Sequence, residues 1–253
     1  MAEEQKQKFA SEVIDLPSKG KCYPKDSPLS SGKLEIKYMT AREEDILTSQ
    51  NLLKKGIVIE KLLDSLILTG GITTNDLILG DKNAVMVAAR ILAYGPDYTC
   101  EVTEPNTGQT IEHTFNLADC PFKKIDKKLS VSDTFSVTLP ISKKSVKFKL
   151  LTGKEEKLIE EDVKALHKID SNISRSFSTR LKYSIIEADG NSDRSAISNF
   201  VDNMLSRDSL FLRGEINKVS PDIELTQEVE IGGEMVTVTI PMTTNFFWPS
   251  IEL

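Results

Sequence analysis

Leu34, Ile36 and Tyr38 alternate with Glu35 and Lys37, the pattern of a strand with one buried face. Thr40-Ala41-Arg42-Glu43 follows, and a Thr with a Glu three residues later is a capping box that starts a helix, predicted to run to about residue 53. Val146, Phe148 and Leu150 alternate with Lys147 and Lys149 in the same way, and Thr152-Gly153-Lys154-Glu155 repeats the cap ahead of Leu158 and Ile159. The second block lies 112 residues after the first, shares its Lys, Thr and two Glu residues, and keeps every apolar position apolar. A further set of matches holds at an offset of 125: Pro96-Asp97 with Pro221-Asp222, Gly108 with Gly233, and Thr114 with Thr239. Colinear matches of this kind predict a duplicated module.

Each copy reads as strand, capped helix, further helices and a terminal hairpin. The long helix of the first copy is predicted over 81–94, with Asp81 as its N-cap, Gly95 as its stop, and Val85, Ala88, Ala89 and Leu92 as its apolar face. Its match spans 208–219, after a helix over 199–205 capped near Ser192. Strands are predicted over 98–102 and 110–115, and again over 223–229 and 235–240, with Gly108 and Gly232-Gly233 at the hairpin tips. Before Lys33 the prolines and glycines predict an extended arm with little regular structure. The expected fold class is therefore α+β, as two degenerate repeats. Its parts are an N-terminal arm over 1–33, a first repeat over 34–122, a lysine-rich linker and strand over 123–145, a second repeat over 146–244 and an aromatic tail over 245–253.

Composition narrows the chemistry. The chain has 253 residues and a net charge of -6, which argues against nucleic acid or an anionic membrane as the main partner. Cys22, Cys100 and Cys120 are odd in number and form no Cys-x-x-Cys pair, which fits a reducing compartment. The acidic, polar start lacks a secretion signal's basic and apolar regions. The most apolar stretch, 56–79, is interrupted by Glu60, Lys61, Asp64, Asn75 and Asp76, so no membrane-spanning segment is predicted. The two histidines, His113 and His167, stand in no catalytic motif, and phosphate-binding, dinucleotide-binding and zinc-hydrolase signatures are missing. No catalytic residue and no cofactor is assigned, and an enzyme is not expected. Asp189, Asn191 and Asp193 have the spacing of a calcium loop, but Arg194 replaces the required glycine and Phe200 the bidentate Glu, so a polar turn is expected.

Two features remain as candidate binding elements. Lys123, Lys124, Lys127, Lys128, Lys143, Lys144, Lys147 and Lys149 surround the junction of the copies, opposed only by Asp126 and Asp133. They read either as a solvated linker and protected edge strand, the favoured reading, or as a contact for an acidic partner; a nucleic-acid-binding module is the alternative function. The tail carries Phe246, Phe247, Trp248 and Pro249, and burial of its three aromatics represents about 5–9 kcal/mol. It docks either on its own core or, with Leu16, Pro17 and Tyr23 of the arm, on a neighbouring subunit.

Leu16-Pro17-Ser18-Lys19-Gly20, the stretch from Tyr38 to Leu47, Leu79-Gly80-Asp81-Lys82-Asn83, Ala89-Arg90-Ile91-Leu92-Ala93-Tyr94-Gly95 and the Phe246-Phe247-Trp248-Pro249 ending together resemble one family. These are the baseplate hub and hub-assembly proteins of T-even-type contractile-tailed phages, and the resemblance covers the chain from about residue 13. It implies a chaperone or minor hub subunit in tail assembly, with other hub or tape-measure proteins as partners and self-association as a further option. It also implies a place in the host cytoplasm during assembly and in the virion tail baseplate if the chain stays in the particle. Family hairpin tips tend to carry a Cys-Pro-x-Cys-Gly zinc knuckle. Here Glu104-Pro105-Asn106-Thr107-Gly108 and Val229-Glu230-Ile231-Gly232-Gly233 lack the thiolates, so no zinc is expected.

Overall fold

The computed structural model describes residues 9–103, 108, 110–125, 134–169, 175–231, 233–242 and 244–248. The alternation at Leu34 and Ile36 does produce a strand, β2 (Lys33–Lys37), but its partner lies upstream. β1 (Ser11–Asp15) runs antiparallel to it, with Ile14 opposite Leu34 and Val13 opposite Glu35. The segment before Lys33 thus holds a strand and a 3-10 turn at Pro28–Ser31, contrary to the expectation of little regular structure. Five residues with a single apolar pair give no readable alternation, and the strand exists because β2 offers its backbone groups a ladder.

The first capped helix is shorter than predicted. α1 (Ala41–Thr48) stops where Ser49 turns extended, and α2 (Gln50–Lys55) ends on Gly56 in the left-handed region. α3 (Val58–Leu66) buries Val58, Leu62, Leu63 and Leu66. The chain then touches β2 again: Ile67 bridges Ile36, and the Leu68 N–H donates to the Glu35 carbonyl at 2.9 Å. α4 (Leu79–Tyr94) leads into the hairpin β3 (Asp97–Thr103) and β4 (Thr110–Asn116).

The second copy follows the same order, with a single long helix where the first has α1 and α2 and with one helix inserted before the last. β5 (Phe135–Thr138), β6 (Ser145–Phe148) and β7 (Ile185–Ala188) form a three-stranded antiparallel sheet, and α5 (Gly153–Ile169) and α6 (Ser176–Ser184) connect β6 to β7. β7 occupies the place that the Ile67 bridge marks in the first copy. The inserted helix is α7 (Arg194–Asp202); its cap is Asp193, next to the expected Ser192, whose carboxylate accepts the N–H groups of Ser195 and Ala196 at 2.9 and 3.0 Å, while the helix ends short of the predicted 205. α8 (Ser206–Val219) and the hairpin β8 (Thr226–Ile231) and β9 (Glu234–Thr239) complete the copy.

Two apolar cores result, and they do not follow the repeat. The smaller gathers Phe135, Val146, Phe148, Leu181, Ile185 and Leu212 under the second copy's sheet and helices. The larger joins the arm, α1, α3, α4 and the β3–β4 hairpin to the β8–β9 hairpin and the tail. Phe122 bridges Ile223, flanked by the Lys123 N–H on the Asp222 carbonyl and the Glu224 N–H on the Pro121 carbonyl, both at 2.8 Å. The copies meet a second time where Ile78 bridges Thr152 and the Gly153 N–H donates to the Leu77 carbonyl at 2.8 Å.

Candidate protein-interaction site

The predicted binding residues of arm and tail meet inside one core of their own chain. Leu16 and Phe246 are fully buried, Pro17, Tyr23 and Phe247 nearly so, and Trp248 is half-buried; Pro249 lies outside the described residues. The Phe246 ring stands edge-on to Tyr98 at 5.0 Å and to Phe247 at 5.3 Å, and the Tyr98 hydroxyl donates to the Pro241 carbonyl at 3.0 Å.

The polar residues most able to do chemistry hold the scaffold, and they do so twice. In the first copy the Thr40 N–H and hydroxyl donate to the Glu43 carboxylate at 3.0 and 2.6 Å, while Lys37 Nζ donates to its other oxygen at 2.7 Å. In the second, the Thr152 N–H and hydroxyl donate to Glu155 at 2.8 and 3.0 Å, and Lys149 pairs with the same carboxylate. Burial pushes both carboxyls up, but the lysine and threonine bonds outweigh it and hold both below the usual value.

A second repeated device was not visible in the helical pattern. Asp81 and Asp208, expected to open their helices, sit instead at the third helical position. Asp81 accepts the Ser18 N–H at 2.9 Å and the Ser18 and Tyr23 hydroxyls at 2.6 Å each, while Asp208 accepts the N–H groups of Ile141 and Ser142 at 2.8 and 3.0 Å. The anchored loops are related: Leu16-Pro17-Ser18-Lys19 matches Leu139-Pro140-Ile141-Ser142-Lys143, and Lys19 and Lys143 both take positive φ, 51° and 59°. One inserted residue hides this match, which would have placed β1 and β5 inside their repeats. Complete burial raises the Asp81 carboxyl despite its three bonds, and it raises the Tyr23 phenol as well. Burial works the same way on Asp208, but its two backbone donors prevail and lower it.

Cys100 and His113 stand opposite each other on β3 and β4. Among the described residues no group of three or more His, Cys, Asp or Glu side chains gathers to hold a metal ion. The tip residues 104–107 and Gly232 lie outside the described residues. The stretch with calcium-loop spacing is a turn, with Asp189 and Gly190 at positive φ and Asp193 committed to its cap. His167 is exposed at the end of α5.

Several junction lysines are engaged locally. Lys147 pairs with Glu187 at 2.9 Å, Lys149 with Glu155, and Lys123 Nζ donates to the Asn217 carbonyl at 2.6 Å. Lys127 and Lys128 lie outside the described residues. This supports the reading of the junction as structural.

Surface apolar residues are the remaining candidates for binding. Phe177 and Leu210 are each 64% exposed, with Arg213 stacked 4.7 Å over the Phe177 ring. Ile141 and Leu205 flank the start of α8 beside a groove of about 570 Å³ lined by Ser142, Lys144, Phe200 and Met204. Met235, 63% exposed, stands on the outer face of β9. No helix among the described residues is long and apolar enough to cross a membrane. A family model described as "T4 bacteriophage base plate protein" matches residues 9–248. No curated protein and no solved structure matches the chain.

Proposed function

We propose that this chain, which belongs to the T4 bacteriophage base plate protein family, serves assembly of the tail baseplate hub by binding other baseplate proteins, without catalysing a reaction. The observation that carries this reading is the use of its polar groups. Glu43, Glu155, Asp81 and Asp208 are all committed to lysines, hydroxyls and backbone N–H groups of the scaffold. Exposed Phe177, Leu210, Leu205 and Ile141 meanwhile stand on outer faces of the second copy. Buried carboxylates with filled valences fix a shape, and exposed aromatic and aliphatic side chains beside arginine are what protein contacts are built from.

As an assembly factor the chain binds unassembled hub components in the host cytoplasm, shields their apolar surface and leaves as mature contacts replace it. Silencing its gene during infection and following baseplate intermediates by sedimentation tests this directly. Hub intermediates are expected to stall short of the complete baseplate, and normal baseplates in normal number would overturn the proposal. Quantitative mass spectrometry of purified virions then separates the two forms of the role: absence from particles fits a released factor, and a fixed copy number fits a permanent subunit.

A further inference from the structure

The acidic excess of this protein is confined to the two stretches that contain its hairpins. Residues 91–122 and 219–253 contain eleven Asp or Glu and not one Lys or Arg, whereas residues 123–218 carry nineteen Lys or Arg against fourteen Asp or Glu. Charges kept for solubility are interspersed in sign, and these are segregated. The hairpins share the larger core and turn their other faces outward. Thr99, Glu101, Thr103, Thr110, Glu112 and Thr114 are exposed on the first, and Glu228, Glu230, Met235 and Thr237 on the second. Glu101 stands directly opposite Glu112, a like-charge pair that opposes strand pairing, and no ion pair among the described residues engages it or Glu228 and Glu230. A cationic surface laid on these faces relieves that repulsion.

The same chain carries such a surface elsewhere. At the start of α8, Lys144 lines the groove and Lys143 and Arg207 are exposed next to its lining residues in sequence, against one exposed acid in the lining, Asp189, and Ile141 (43% exposed) and Leu205 (51% exposed) stand with them. α8 separates this patch from the hairpin that follows its C-terminus, and its 14 residues span about 20 Å, so the two patches of one molecule lie apart. We infer that the hairpin face of one copy docks on the groove patch of a second copy, with Glu228 and Glu230 against Lys144 and Arg207, and Met235 against Leu205 and Ile141. Two different patches meet, so the contact builds either a reciprocal twofold pair or, head-to-tail, rings and open chains. Electrostatic complementarity of this kind sets orientation and is weakened by salt.

Sedimentation velocity of the purified full chain over a range of concentrations tests the contact. At about 0.1 M salt, where the Debye length is about 10 Å, species larger than the 28.2 kDa monomer are expected, and at about 1 M, where it is about 3 Å, only the monomer. Glu228→Lys with Glu230→Lys reverses the head, and Lys144→Glu with Arg207→Glu reverses the tail. Each variant alone is expected to remain monomeric at low salt, with a circular dichroism spectrum matching that of the unaltered chain. Mixing the two variants is expected to restore assembly, because a reversed head then meets a reversed tail. A monomer at every salt concentration, assembly that survives either reversal, or a mixture of folded variants that stays monomeric overturns the inference. A lysine-rich baseplate protein that binds the hairpin face of a monomeric chain would likewise replace the second copy as its occupant.

Discussion

Glu43 and Glu155 make the same set of bonds at different depths. The Lys37 and Glu43 side chains are 8% and 1% exposed, against 39% and 17% for Lys149 and Glu155. Glu43→Ala leaves an ammonium group buried without its partner, at a cost of about 3–5 kcal/mol. Glu155→Ala leaves a lysine that reaches water and removes little beyond the cap, about 1 kcal/mol. Urea denaturation of the two variants is expected to show this difference as a much larger drop in midpoint for the first.

The two helix-start aspartates differ in sign. Asp208 has a lowered carboxyl, so its contribution is present above the unfolded value of about 3.9 and is lost as pH falls through the folded one. Asp81 has a raised carboxyl, so the fold loses stability as pH rises above the unfolded value and the buried group ionises. Asp208→Asn is therefore expected to cost more at pH 7 than at pH 3, and Asp81→Asn less at pH 7 than at pH 3. Denaturant melts of both variants and the unaltered chain at the two pH values check the opposite trends. At this scale the sequence showed the acids, lysines and caps but not their assignments. Ser18 reaches Asp81 across 63 positions, and no local pattern records such a contact.

Among the elements, the hairpins and the long helices were legible to within a few residues because their alternation and periodicity are strong and their turns are marked by glycine and proline. β1 and the break between α1 and α2 were not, since the pattern that was read records neither a partner strand nor the turn at Ser49. The repeat itself explains two glycines. Gly153 stands where the first copy has Ala41, and a Cβ there would lie 2.2 Å from the Thr74 carbonyl oxygen; at Gly80 one would lie 1.8 Å from that of Pro221. Both neighbours are backbone of the other copy, so relief requires the copies to move apart. Gly80→Ala and Gly153→Ala are each expected to cost about 3 kcal/mol, near the top of the range for an inserted methyl group, while Ala41→Gly, at the first helical position, costs less than about 1 kcal/mol. The tail is a comparable element: Phe246→Ala removes a fully buried ring from the larger core and is expected to cost about 3–5 kcal/mol, measured by thermal or urea unfolding.

At the scale of the whole molecule, duplication was legible but the distribution of its cores was not. Both hairpins and the tail enter one core with the arm, so the second copy's C-terminal part stabilises the first, and the chain presents the outer faces of two copies in fixed relation. That fixed relation suits the proposed role, in which the chain binds other baseplate proteins. Recovery of the chain from infected cells midway through tail assembly, with quantitative mass spectrometry of what accompanies it, tests this role most directly. Baseplate hub proteins in fixed ratio to the chain are the predicted result; the chain recovered alone, or with proteins from outside the tail only, would contradict it.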